Sequence, residues 1–208
     1  MRPTTPASPP ADIASLKVKG TGDDRTWLCG KLLLAMPAMP DMRFKKSVVF
    51  ICAHDVGGAM GITINHEMTE VPVSLLLTQL ALKPAESFAD FPVLQGGPVD
   101  TGRGLLLHSS DVLKTESVRI DADFAVTGTI EALRDVVSGN GPSDKLFALG
   151  YAGWGPGQLE DELGKNAWLV VDADAELVFR TPAALKWDRA LKKLGVDPSF
   201  LSDAVGHA

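Results

Sequence analysis

From Trp27 onward the chain is a succession of short apolar runs broken by glycine and proline. Leu28 to Ala35 reads as a strand. Met36-Pro37-Ala38-Met39-Pro40-Asp41 then reads as a loop, because proline cannot donate to a central ladder. Ser47 to His54 is apolar at both parities, with Val48, Phe50 and Cys52 on one face and Val49, Ile51 and Ala53 on the other. That is the pattern of a strand covered on both sides. Asp55-Val56-Gly57-Gly58 is a turn, and Ala59 to His66 is the return strand of a hairpin. On this strand Met60, Ile62 and Ile64 share one face, and Gly61, Thr63 and Asn65 the other. The second face is small and polar, which suits close approach of a ligand or another backbone.

Helical spacing follows in four places. Val73 to Leu82 carries a stripe of Leu76, Leu77 and Leu80 and stops before Pro84. Thr129 to Ser138 places Ile130, Leu133 and Val137 on one face and ends at Gly139-Asn140-Gly141. Gly157 to Leu163 is a short acidic helix with Pro156 near its first position. The last helix opens with Thr181 as N-cap and Pro182 at N1, buries Ala184, Trp187, Leu191 and Leu194, and stops at Gly195. Between these lie strands at Val93–Gln95, Gly104–Ser109, Ser117–Ile120, Phe124–Val126, Lys145–Tyr151 and Ala167–Asp172. Hairpins dominate and regular βαβ alternation is absent. The expected class is therefore α+β, a mixed, mostly antiparallel sheet with flanking helices.

Composition narrows the class further. A chain of 208 residues with 45% hydrophobic and 22% charged residues suits a globular domain and excludes a collagen, a coiled coil or a wholly disordered chain. Residues 1–26, with Pro3, Pro6, Pro9 and Pro10, are expected to form a flexible tail, and 27–208 a single domain. The net charge of −6 leaves no global basic footprint for nucleic acid. Two cysteines cannot build a disulfide framework. No apolar run approaches the ~18 residues of a membrane span, and Met1 to Asp24 holds no continuous apolar segment long enough for a secretory signal core, so a cytoplasmic location and no membrane partner are expected. Cys29 and Cys52 are then reduced and, within apolar runs, inert core thiols.

Candidate chemistry is sparse. His54 and His66, beside Asp55 and Glu67, invite a metal reading. Along the hairpin they lie roughly 23 Å apart at ~3.3 Å per residue, so no metal site is expected. His108-Ser109-Ser110-Asp111 is not a triad, because neighbouring strand residues point to opposite faces. His108 can serve as a lone base, a ligand contact or a structural histidine. The stretch Gly96 to Gly104 offers backbone amides to an anion, at Gly96 and Gly97, and a clamp in Arg103, or it is simply a tight connection. It lacks the Gly-Lys-Ser/Thr ending of a P-loop. Tyr151 and Trp154, among four glycines, could form an aromatic shelf or serve packing. Glu160, Asp161 and Glu162 near the following helix start would repel phosphate. Lys186, Arg189, Lys192 and Lys193 make a basic face on the last helix, read as solvated.

Several blocks together resemble the AlgH/YqgE-like family of bacterial proteins. They are Leu32-Leu33-Leu34-Ala35-Met36-Pro37, Phe44, Ser47-Val48-Val49, His54, Gly58-Ala59-Met60-Gly61 and Asn65. Gly96-Gly97-Pro98-Val99, Leu107-His108, Gly150 to Leu159, Trp168-Leu169 and the closing Gly206-His207-Ala208 complete the set. The resemblance implies a sheet curled into a pseudo-barrel with flanking helices and a role in transcriptional regulation. It implies no catalytic residue, and no DNA-binding motif accompanies it. The preferred reading is a cytosolic regulatory or binding protein for a small molecule or protein partner, with no cofactor assigned. Its candidate residues are His54, Gly58, Asn65, Gly96, Gly97, Arg103, His108, Tyr151 and Trp154. The alternative is a hydrolase or transferase with His108 as base and Arg103 as anion clamp, favoured if His54 and His108 converge in one pocket. Direct nucleic-acid binding through the last helix is disfavoured. Under either of the first two readings His108→Ala should leave folding intact.

Overall fold

The computed structural model describes residues 27–39, 41–86 and 88–197. The Pro-rich tail and Gly206-His207-Ala208 lie outside the described residues. Among the described residues nine strands form the sheet: β1 (Lys31–Ala35), β2 (Val48–Asp55), β3 (Gly58–Thr63), β4 (Val93–Gln95), β5 (Val99–Ser109), β6 (Val118–Arg119), β7 (Phe124–Thr127), β8 (Lys145–Trp154) and β9 (Trp168–Asp172). Their order is β6-β7-β5-β8-β3-β2-β1-β9, all antiparallel, and β4 adds to β8 in parallel. The sheet is strongly curled, a half-barrel, and the class is α+β as the pattern predicts. Helices α1 (Val73–Gln79), α2 (Ile130–Val137), α3 (Gln158–Gly164) and α4 (Ala183–Lys193) flank it, with a 3₁₀ turn at Met42–Phe44 and a π-helical turn at Glu176–Arg180. No helix among the described residues is long and apolar enough to cross a membrane.

The period of two on β1 divides the core. Leu32 and Leu34 join Phe50, Phe124, Trp187 and Leu191 in the cluster that α4 covers. Leu33 and Ala35 join Val49, Ile51, Trp154, Leu159 and Trp168 on the opposite face. A third cluster holds α1 and α2 through Val73, Leu77, Leu106, Leu133 and Phe147. β2 is buried from Val48 to Ala53, so the two-sided reading of that strand holds. A register shift between Ile51 and Ala53 bulges the β2–β3 pair at Cys52.

Several boundaries move. The stretch Gly96 to Gly104 is not a loop throughout: β5 begins at Val99, with its register to β8 shifting between Val99 and Gly104. β3 ends at Thr63, and the small polar face expected on it is covered rather than open, with Gly61 and Thr63 both buried. α1 ends at Gln79, buries Val73 and Leu77, and leaves Leu80 39% exposed. α2 turns Ala132, Leu133, Val136 and Val137 inward and leaves Ile130 out. Pro156 precedes α3, whose N-cap is Gly157 at φ +74°. α4 starts after Pro182 as N-cap, because the Thr181 hydroxyl donates to the Glu176 carbonyl instead of capping. Its buried face is Lys186, Trp187, Ala190 and Leu191, whereas Ala184 and Leu194 face out.

Candidate functional site

α3 bridges the end of β8 and the start of β9, and this local order builds a cleft. Trp154 closes β8, paired with Ala59, and Trp168 opens β9, paired with Ala35. Their rings meet edge to face at 5.8 Å, and Phe44 of the 3₁₀ turn stands edge-on to Trp168 at 5.5 Å. Gln158 and Glu162, four residues apart on α3, present themselves on one helix face. With Pro98 and Val99 at the start of β5, these residues border a cleft of about 780 Å³.

Glu162 is the polar centre. Both indole N–H groups donate to its Oε2, from Trp154 at 2.9 Å and from Trp168 at 2.7 Å. Gln158 Nε2 donates to its Oε1 at 2.9 Å. The amide orientation of Gln158 is fixed from the other side: the Gly155 N–H can only donate, and it meets Gln158 Oε1 at 3.1 Å. The carboxylate is therefore aimed by three N–H groups on a half-buried wall. At the rim, Arg43 grips Asp41 through Nε and Nη2. Those hydrogen bonds hold the Asp41 carboxyl below its ordinary range. Lys165 lies on the exposed edge.

Of the nine candidates read from the sequence, Trp154 alone lines this cleft. His54 stands behind α3. Its Nδ1 accepts from the Leu28 N–H at 3.2 Å, so Nε2 carries the proton and donates to Glu160 at 2.9 Å. Gly58 lets β3 approach Trp154, where a Cβ would sit 2.1 Å from the carbonyl oxygen. Gly96 and Gly97 serve a similar crossing, with Cβ positions 2.2 Å from Gly150 O and 2.1 Å from the Tyr151 carbonyl carbon. Asn65 clasps backbone: Oδ1 accepts from Val48 N–H at 2.7 Å and Nδ2 donates to Lys46 O at 2.8 Å.

Tyr151 and Trp154 do not form one shelf. Three residues apart on a strand, they enter different core clusters on opposite faces. Burial raises the Tyr151 phenol above its ordinary value, Asp100 adds to this, and Arg103 opposes it. Arg103 and His108 are five residues apart on β5, roughly 16 Å at ~3.3 Å per residue. His108 is 2% exposed and fully engaged. Its Nδ1–H donates to Ser109 O at 2.8 Å, so Nε2 accepts from the Thr127 hydroxyl at 2.9 Å. Thr127 in turn accepts from Ser117 at 2.8 Å, and Ser117 accepts from the Lys114 N–H at 3.0 Å. Burial lowers the His108 pKa. The cleft at Glu162 is lined by neither His54 nor His108, and the void of about 10 Å³ that His108 borders does not include His54.

Among the described residues no three His, Cys, Asp or Glu side chains converge on a metal geometry. Cys29 and Cys52 are unpaired thiols; the Cys29 thiol donates to Cys52 O at 3.2 Å. Burial pushes Cys29 up to about 11 and Cys52 higher still, so both remain protonated and unreactive at neutral pH. The last helix is not a basic strip. Lys186 is buried, Lys193 pairs with Asp174, and Arg189 pairs with Glu176. The cleft residues Phe44, Gln158, Glu162 and Trp168 were not singled out as ligand contacts by sequence reasoning. The signal is the i,i+4 Gln158/Glu162 pair between two tryptophans; of the acidic run expected near the helix start, Glu160 and Asp161 lie in the first turn and Glu162 in the last.

A family model described as AlgH-like matches residues 32–199. A UPF0301 protein of Jannaschia sp. is 50% identical over 183 residues, covering 87% of this chain and 95% of the relative. One from Bradyrhizobium diazoefficiens is 47% identical over 190 residues, covering 88% and 89%. The solution structure of the AlgH protein from Pseudomonas aeruginosa is similar at TM-score 0.72 and 36% identity, covering 91% of this chain and 100% of that one. A crystal structure of a Corynebacterium diphtheriae protein shares the fold at TM-score 0.66 and 18% identity, covering 83% and 90%.

Proposed function

The chain belongs to the AlgH-like family, and from that premise we propose that it is a cytoplasmic regulatory protein that binds a small molecule in the cleft at Glu162. The carrying observation is the carboxylate itself. Trp154, Trp168 and Gln158 hold it in one orientation toward a mostly apolar cleft, which is the build of a recognition site: apolar walls and few, fixed polar groups. The unpaired thiols Cys29 and Cys52 suit a reducing cytoplasm.

A hydrolase or transferase through His108 and Arg103 has less support, because the strand separates the two and His108 spends both ring nitrogens within the fold. Regulation through direct DNA contact by α4 is likewise not the form proposed, since three of its four cations are buried or ion-paired. Bound ligand stabilises the native state by mass action, so a thermal-shift screen against a metabolite library tests the reading. The expected result is a concentration-dependent rise in Tm that is lost in Glu162→Ala. Stabilisation that survives this substitution would move the site elsewhere. A blank library would favour a protein partner instead.

A further inference from the structure

Resting on the cleft as the binding site, we propose that Glu162 recognises a cation, so that the ligand carries a primary ammonium or guanidinium group on an apolar body. The carboxylate is half-buried, yet all three groups that hold it are neutral donors. No lysine, arginine or histidine of the described residues forms an ion pair with it. A charge withdrawn from water without a countercharge is costly, and a cationic ligand supplies what the fold does not.

The helix adds to this imbalance. Glu162 sits in the last turn of α3, where the negative end of the helix dipole disfavours a carboxylate and attracts a cation. Asp161 precedes it on the same short helix. The opposing charges are weak competitors. Arg43 is already spent on Asp41. Lys165 lies on the exposed edge, outside ion-pair reach of Glu162. An anionic ligand would have to displace the first or settle for the second. The remaining walls, from Met39, Phe44, Pro98 and Val99, suit an apolar body, and the nearby aromatic rings favour a cation over an anion.

The test uses the full chain and follows the indole N–H resonances of Trp154 and Trp168, which report directly on Glu162. Phenethylamine and agmatine are the cationic probes, phenethyl alcohol the neutral one and phenylacetate the anionic one. Both cations should move both resonances saturably, the other two should not, and Glu162→Gln should weaken the amines at least about tenfold. Lys165→Gln should tighten them a few-fold by removing a like charge, and it keeps the test decisive if the Glu162 variant fails to fold. Phenylacetate or phenethyl alcohol binding as tightly as the amine would overturn the cation assignment while leaving the cleft as the site. So would amine binding unchanged by Glu162→Gln or weakened by Lys165→Gln. If no probe and no library compound moves the indoles, the cleft reading and the cation assignment fail together.

Discussion

Lys186 on α4 and Ile64 just beyond β3 are joined across 122 residues of chain: the buried ammonium donates to the Ile64 carbonyl at 3.0 Å. The same Nζ donates to the Val178 carbonyl in the π-helical turn at 2.6 Å. One side chain thus ties the helix, the turn and the strand end together. It also explains the rotated helix face, because a lysine placed inward satisfies carbonyls that the π-turn and the strand end leave over.

That burial sets a pH dependence. Desolvation pushes Lys186 from 10.5 down to about 8, with Glu67 partly opposing it. Below about pH 8 folded and unfolded chains both hold the proton, and the folded state bears the full cost of the buried charge. Between about 8 and 10.5 the unfolded chain binds the proton and the folded chain does not, so the lysine's contribution to stability rises with pH. Lys186→Met should remove this rise and, at pH 7, cost about 1–3 kcal/mol through the abandoned carbonyls. Urea midpoints of the two proteins between pH 7 and 10 test it; parallel profiles would sink the assignment.

His108 predicts the opposite limb. Its pKa is lowered, so the unfolded chain takes up a proton first as pH falls below the ordinary 6.5, and stability drops in acid. His66, also lowered by burial, adds to the same slope. Thr127→Val leaves the His108 Nε2 and the Ser117 hydroxyl without a shared partner and should cost about 1–3 kcal/mol. His108→Ala should destabilise as well, contrary to what a ligand-contact role predicts. Chemical denaturation at pH 7 and pH 5 separates the two effects, and a His108→Ala protein of unchanged stability would show the network to be idle.

Two glycines with positive φ distinguish space from backbone conformation. At Gly58, φ +125°, an added Cβ meets the Trp154 carbonyl oxygen at 2.1 Å; at Gly139, φ +83°, it meets nothing within 4 Å. Gly58→Ala should therefore cost about 3 kcal/mol or more, from a clash that only movement of β8 can relieve. Gly139→Ala should cost about 1 kcal/mol, the left-handed backbone penalty alone. Equal losses in thermal unfolding would contradict this account.

What could be read from the residues was whatever period and turn chemistry determine locally. β2 declared itself by apolar residues at both parities, and Gly195 marked the end of α4. The inward faces of α1, α2 and α4 were harder. Lys186 is unreadable as a core residue until Ile64 and Val178 are known to offer carbonyls, and these lie in distant segments. The candidate site failed for a related reason. Histidines and glycines attract attention as types, yet here they serve crossing backbones and closed hydrogen-bond networks. Glu162 became visible only when α3 brought it beneath two tryptophans whose positions are set by pairing to β3 and β1.

The network around Glu162 yields a prediction about coupling. Trp154 and Trp168 are each only 3% exposed, so their N–H groups depend on the Glu162 carboxylate rather than on water. Glu162→Ala strands both and should cost about 2–6 kcal/mol, at about 1–3 kcal/mol for each unsatisfied donor. Glu162→Gln is different. Its carbonyl oxygen can take the place of Oε2 and serve both indoles, which leaves its amide nitrogen facing Gln158 Nε2, donor against donor. Gln158 cannot relieve this by flipping, because its Oε1 is held by the Gly155 N–H. Glu162→Gln should therefore cost about 1 kcal/mol, and Gln158→Ala in the same chain should recover part of it, giving a non-additive double-mutant cycle. Additive losses in urea denaturation would mean that Gln158 does not orient the carboxylate.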